Sequence, residues 1–287
     1  MHWQKITERT EYVSVDESLI GIYHLGGGKR VVLIDAGAME CPEFLDDIIS
    51  RGLEVAAILC SHLHFDHIST AGLIYEQFHM PSYAHYLEER ETEFPTRWFP
   101  VTPIRADEPV IIEGERFEVI PTPGHTKGHL AFVTPDGVCC VGDAFMSHVP
   151  LSRAKIPYFH DVDKSIESME RIRQTSYPAY LLCHEAVVMQ PELDALIDLN
   201  IDKELELYRM IIDYVSAPME IEEMVTGFMQ HCGIRNKFIL GFEGYRGTVK
   251  SRVRSLEFAG ELRLEAVLAE RLQSVFGAGG SVAARIW

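Results

Sequence analysis

Up to residue 192 the chain consists of short apolar or β-branched runs set between Gly, Pro and Asp. The runs at 31–35, 55–61, 110–112, 117–121, 130–134, 138–141 and 179–183 are too short for helices and are bounded by turn formers, which predicts strands. Pro135-Asp136-Gly137 between two of them predicts a tight hairpin. Residues 42–49, 67–78 and 164–173 carry helical spacing instead, with Ile166, Met169 and Ile172 marking one face of the third. Beyond Pro191 the strand pattern fades. Helical spacing over 193–215 ends at Ala217-Pro218, and further helices are predicted over 219–228 and 248–258, the last stopping at Ala259-Gly260. There is no internal repeat. The pattern predicts an α+β or α/β domain over residues 1–195 and a smaller helical domain over 196–287.

Composition narrows the class of function. The 287 residues are 47% hydrophobic and 24% charged, enough for a sizeable core. The net charge of -17 lies mostly in residues 1–195, which carry 30 acidic and 15 basic side chains. That balance argues against wholesale coating of nucleic acid, where Lys and Arg dominate. No apolar run approaches the roughly 20 residues of a bilayer crossing, so no membrane association is expected. The polar start MHWQKITERT lacks a signal peptide's apolar stretch, and six cysteines form no CxxC pair, so a reducing cytoplasm is the expected location.

One segment carries chemistry. Cys60-Ser61-His62-Leu63-His64-Phe65-Asp66-His67 follows directly on the apolar run 55–60. In extended chain, residues two apart face the same way, so His62, His64 and Asp66 converge, and His67 opens the next helix toward the same point. Three imidazoles and a carboxylate are what a borderline divalent metal such as zinc prefers. Four residues do not fill two metal sites, and further candidates stand at later strand ends: His125 in Thr122-Pro123-Gly124-His125-Thr126, Asp143 after Gly142, and His184 after the run 179–183.

These motifs, HLHFDH, TPGHT, GDAF and LLCHE, resemble in order and spacing the metal-binding motifs of the metallo-β-lactamase superfamily over roughly residues 10–190. The resemblance implies an α+β, four-layer αββα sandwich with the active site at one edge of two sheets. It implies that His62, His64 and His125 hold one metal, that Asp66, His67 and His184 hold a second, and that Asp143 bridges them. The Asp in Leu33-Ile34-Asp35-Ala36-Gly37 is implied to be structural or to support the ligands. The last ligand usually sits in Gly-His-Gly; here it is Cys183-His184-Glu185. The resemblance also implies two divalent ions, zinc first with iron or manganese as alternatives, and a bridging hydroxide that attacks a small ester, thioester or lactone. Asp66 is then the catalytic residue that takes the hydroxide proton, and a net positive centre favours a small anionic substrate. His64, where the related diiron flavoproteins carry Glu, disfavours redox chemistry, and the family name does not imply lactamase activity.

Other residues are weaker candidates. His129 is expected to support the ligands rather than touch metal, and His85 to start a helix. Phe145, His148, Tyr158, Phe159 and His160 fall where relatives place substrate-contacting loops. The 196–287 tail resembles, by pattern only, a winged helix, with a wing at Gly260-Glu261-Leu262-Arg263-Leu264. Arg235, Lys237, Arg246, Lys250, Arg252 and Arg254 against the single acid Glu243 suggest either a nucleic-acid face, and hence a nuclease as the alternative function, or a solvated face or homodimer contact. Since every expected ligand lies at or before His184, the first domain should build the metal centre alone.

Overall fold

A computed structural model describes residues 1–261 apart from 17, 38, 90–95, 107, 185–186, 215–220 and 235–241. Seven strands, β1 (Trp3–Lys5), β2 (Thr10–Val15), β3 (Ser18–His24), β4 (Arg30–Ile34), β5 (Glu54–Leu59), β6 (Ser82–His85) and β7 (Thr102–Ile104), form one sheet in sequence order. Pairing is antiparallel from β1 to β4 and parallel from β4 to β7. The second sheet holds β8 (Val110–Ile112), β9 (Glu115–Pro121), β10 (Leu130–Val133), β11 (Val138–Gly142), β12 (Ala179–Leu182) and β13 (Val187–Val188). Only β11 and β12 pair in parallel there, which requires a helical crossover.

The helices are α1 (Pro42–Ser50), α2 (Phe65–Ile68), α3 (Ala71–Phe78), α4 (His148–Arg153), α5 (Val162–Arg173), α6 (Glu192–Tyr214), α7 (Ile221–His231) and α8 (Phe242–Glu261). Three apolar clusters define the layers. Phe44, Ile48 and Ile74 pack α1 and α3 on the outer face of the first sheet, with Val31, Leu33 and Val55. Tyr23, Val32 and Leu59 meet Phe117, Phe132 and Leu181 between the sheets. Ile166, Met169 and Ile172 of α5 share the outer face of the second sheet with Leu196, Tyr208, Phe228 and Val253 of α6, α7 and α8. The architecture is the expected αββα sandwich with C-terminal helices added.

The Pro135-Asp136-Gly137 turn joins β10 and β11, with Gly137 at a φ of 92°. Asp136 there accepts from Thr7 Oγ1, Thr10 Oγ1 and the Arg9 backbone N–H, tying the second sheet to the first. Elsewhere the structure corrects the sequence reading. Residues 67–78 form two helices, because the chain breaks at Ser69-Thr70 and Thr70 Oγ1 turns to the Cys41 N–H and the Met39 carbonyl. His85 ends strand β6 and starts no helix. Helix α8 begins earlier than 248, with Gly244 close against Tyr158, where a Cβ would stand 2.5 Å from Cε2, and it runs through Ala259-Gly260. Of the expected wing, residues 262–264 lie outside the described residues, as do Arg235, Lys237 and the Ala217-Pro218 stop.

Candidate metal centre

Strand β5 emerges between two parallel neighbours, so its end is fixed from both sides. The Asp35 N–H donates to the Leu59 carbonyl and the Cys60 N–H to the Tyr83 carbonyl. Asp35 itself sits at a φ of 64°, a left-handed conformation that Asp tolerates better than most residues. Its carboxylate accepts from the Ser61 N–H at 2.7 Å, from Ser61 Oγ at 2.9 Å and from His67 Nδ1 at 2.9 Å. Because a carboxylate only accepts, His67 carries its proton on Nδ1 and turns Nε2 toward the centre.

The seven candidate ligands then gather at one sheet edge. His62 is fully buried, with Nδ1 3.0 Å from Ser61 Oγ. His64 stands at the N-cap position of α2 without a side-chain capping bond, and its Nδ1 is 2.9 Å from His125 Nε2. Asp143, at the end of β11, lies between the imidazoles. Its Oδ2 is 3.3 Å from His67 Nε2 and 3.5 Å from His125 Nε2, and its Oδ1 is 3.5 Å from His184 Nε2. Asp66 Oδ2 is 3.9 Å from His184 Nε2. His62, His64 and His125 bring ligand atoms within 4.8 Å of one another, as do His62, Asp66 and His67, and as do His67, Asp143, Cys183 and His184.

Charge follows this placement. Burial and the neighbouring imidazoles push His62 well below its ordinary value, and burial does the same to His125 against the pull of Asp143. His67 is also buried, yet Cys183, Asp143, Asp35 and Asp66 outweigh that and raise it well above. Asp143 raises His184 to about 10. In turn, His67 and His184 hold Asp143 well below the carboxylate range despite its burial. A divalent cation fits this donor set: the Nε2 atoms of His62 and His67 are buried without a hydrogen-bond partner, Asp143 Oδ2 stands 3.3 Å from that of His67, and Asp66 offers an oxygen within 4.8 Å of a ligand atom of each ring.

The surrounding residues were only partly foreseen. His129 is buried with both nitrogens engaged, by the Asp143 N–H and Thr122 Oγ1, as expected of a supporting residue. Gly142 leaves the room: a Cβ there would stand 2.8 Å from both His129 Nε2 and Ser61 Oγ. Glu88, which sequence reasoning missed, accepts from the Leu63 N–H, Thr126 Oγ1 and the Gly128 N–H, clamping two ligand loops together. Cys183 places its thiol among His67, Asp143 and His184, a neighbourhood its apolar flank could not reveal.

A cleft of about 260 Å³ opens beside His64 and His125, lined also by Leu87, Glu88, Glu89, Thr126, Lys127, Tyr158 and His160. Tyr158 and His160 are therefore brought to it. Phe145 and Phe159 are not: each is 2% exposed and packs in the outer core of the second sheet. His148 stands at the exposed start of α4 and does not line the cleft. In the tail, Arg252 is fully buried against Glu204, and Arg246 and Lys250 both pair with Glu222, so three of the expected basic side chains are not free for phosphate. No described helix is long and apolar enough to cross a membrane.

Comparison with known proteins places the chain in a family. A family model described as the metallo-beta-lactamase superfamily matches residues 18–184. A probable metallo-hydrolase of Streptococcus pyogenes serotype M6 is 26% identical over 57% of this chain and 81% of its own length. A hydroxyacylglutathione hydrolase of Bdellovibrio bacteriovorus is 28% identical over 44% of this chain, which spans only 47% of that enzyme. Among solved structures, a beta-lactamase domain protein from Burkholderia ambifaria superposes with a TM-score of 0.69 at 16% identity, covering 92% of this chain and 90% of that one. Another, 24% identical with a TM-score of 0.50, covers 64% of this chain and 95% of its own and was solved in a di-iron-bound form. With the family model spanning more than half the chain and the histidine and aspartate cluster lying inside that span, the chain belongs to the metallo-β-lactamase superfamily, as a metallo-hydrolase.

Proposed function

We propose that this metallo-hydrolase cleaves a small ester-type substrate, a thioester foremost, with an ester or lactone as the chemical neighbours, and that its substrate is anionic. The observation that carries the reading is Asp143, whose two carboxylate oxygens face His67 and His125 on one side and His184 on the other. We read Asp143 as a group shared by two cations. In this reading His62, His64 and His125 hold one ion, Asp66, His67 and His184 hold the other, and zinc is the first choice. The relative solved with two irons keeps iron as the alternative to test. Metals bound there supply Lewis acidity and let water serve as a nucleophile near neutral pH.

The chain's own residues do the rest. Asp66, partly exposed and facing His184, is placed to take a proton from the attacking water and return it to the leaving group. Asp35 and His129 hold His67 and Asp143 in place while this happens. Lys127 lines the cleft with His125 and offers an anionic substrate positive charge, while His160, whose pKa burial lowers, lines it as a neutral ring. The hydroxyacylglutathione hydrolase relatives favour a thioester over the other esters. Six free cysteines suit a reducing cytoplasm. The pairing of Arg246, Lys250 and Arg252 with acids weighs against a nuclease, and the tail stays available for a homodimer contact.

The test is a parallel screen of thioesters, lactones, phosphodiesters and RNA with metal-loaded protein at two salt concentrations. Thioester turnover insensitive to salt supports the reading. Phosphodiester or RNA cleavage that falls steeply with salt would overturn it in favour of the nuclease.

A further inference from the structure

The expectation that residues 1–195 build the metal centre alone meets a specific obstacle in α8. His125 Nδ1 lies 3.1 Å from the Tyr158 carbonyl, and a carbonyl only accepts, so this bond puts the proton on Nδ1 and leaves Nε2 to face the centre. The backbone that carries that carbonyl is tied to the His125 loop only beyond it, where the His160 and Asp161 N–H groups donate to the His125 and Gly124 carbonyls; at residues 157, 159 and 162 it is bonded by α8. Thr248 Oγ1 accepts from the Phe159 N–H at 3.1 Å and donates to the Phe159 carbonyl at 2.8 Å. Arg252 Nη2 donates to the Pro157 carbonyl at 3.1 Å and to Glu204 Oε1 of α6 at 2.6 Å. Ser251 Oγ accepts from the Val162 N–H at 3.0 Å. Gly244 leaves room for the Tyr158 ring, as the 2.5 Å approach of a would-be Cβ shows.

Thr248, Ser251, Arg252 and Ser255 follow one another at helical spacing, so α8 presents a polar stripe inward. Thr248, Arg252 and Ser255 are each no more than 2% exposed. Burying such groups is costly unless they are bonded: Ser255 bonds to Tyr208 and Asp163, whereas Thr248 and Arg252 bond to the segment around the carbonyl that orients His125.

We propose that Thr248 and Arg252 are positioning residues for His125, so that the C-terminal helices complete the metal centre without contributing a ligand to it. The proposal rests on His125 being a metal ligand and is independent of the substrate class. Both residues act through the 157–159 backbone: they fix where the Tyr158 carbonyl sits, and through it the direction of His125 Nε2.

The test uses full-length protein stripped of metal and titrated with cobalt(II). Wild type, Thr248→Val, Thr248→Ser and Val253→Ala are compared by affinity, absorption spectrum and metal-free Tm. Val253 lies on the apolar face of the same helix and reports loss of packing alone. Thr248→Val should bind cobalt about 10- to 100-fold more weakly with a changed visible spectrum, the scale seen when a ligand's supporting bond is removed. Thr248→Ser should restore both, and Val253→Ala should lower Tm with wild-type cobalt affinity. If Thr248→Val fails to fold, Gly244→Ala, which crowds Tyr158 and keeps the hydroxyl, should weaken cobalt binding likewise. Wild-type affinity and spectrum in whichever of these folds would overturn the proposal and leave α8 a packing helix. Wild-type protein that takes up no cobalt would instead remove the metal assignment on which it rests.

Discussion

The backbone N–H of Asp143 donates to His129 Nε2 at 3.0 Å, and the other nitrogen of that ring pairs with Thr122 Oγ1 at 2.8 Å. Burial lowers the His129 pKa to about 4, so the ring is neutral, accepts at Nε2 and donates from Nδ1. With both nitrogens committed, His129 holds the backbone of Asp143, the carboxylate proposed to bridge. His129→Ala should weaken metal binding by about 10-fold or more while leaving the same number of metals per chain at saturation. Metal content measured at saturating zinc checks this, and loss of one equivalent would make His129 a ligand.

Asp35 sets the proton position of His67 and pins Ser61 at the strand end. Asp35→Asn places an amide where the carboxylate takes three donors, and it presents hydrogens toward one of them. We expect about 10- to 100-fold weaker binding of one metal, read by competition with a chromophoric chelator. Wild-type affinity for both metals would show that the left-handed Asp35 serves only the turn.

Asp66→Asn separates binding from proton transfer. The amide fits the same space but cannot take up a proton at neutral pH, and it ligates poorly. Turnover of the screened substrate should fall by at least about 100-fold, the range assigned to general acid–base groups. The metal held by His62, His64 and His125 should remain. Near-normal kcat in metal-replete Asp66→Asn would remove Asp66 from the proton-transfer role.

Asp136 gives a prediction on stability and pH. It is partly buried, and although burial opposes this, bonds from Thr10, Thr7, Thr134 and the Arg9 N–H draw its pKa below the ordinary 3.8. A depressed folded-state value means that the unfolded chain binds the proton more readily. The stabilisation is therefore complete above the unfolded value and is lost as pH falls through the folded one. Asp136→Asn should be less stable at pH 7, on the order of 1 kcal/mol after allowing for exposure, and should lose less on acidification below pH 4. Parallel Tm curves for the two proteins across that range would contradict the assignment.

The strands that carry the ligands were legible because each is a short apolar run ending in Gly, Pro or a polar residue. Strand β11 at 138–142 and strand β12 at 179–182 are examples. The short strands β1, β6, β7 and β13 were not read, because two to four residues leave little periodicity, and all but β6 lie at a sheet edge. Strands β2 and β3 were missed for another reason: Asp16 at their turn adopts a φ of 45°, a conformation more often marked by Gly or Asn. The candidate ligands stood out because HxHxDH is dense in rare donors. Their supports were not, since Glu88 and the Tyr158 carbonyl lie far from the motifs they serve. Arg252 shows the limit most plainly. In sequence it belongs to a basic run, and in the fold it is 0% exposed and bonded to Glu204 and two carbonyls. Charge along the chain does not report which side of a helix faces inward.

The central claim is that the strand-end residues hold two divalent cations with Asp143 between them. The most direct measurement is anomalous diffraction from crystals of the protein loaded with excess zinc, with refined occupancies. The account predicts two zinc ions per chain, about 3.5–4 Å apart as in other two-metal hydrolases, with one Asp143 oxygen or both in contact with the pair. A single fully occupied ion, or two ions neither of which touches Asp143, would contradict it.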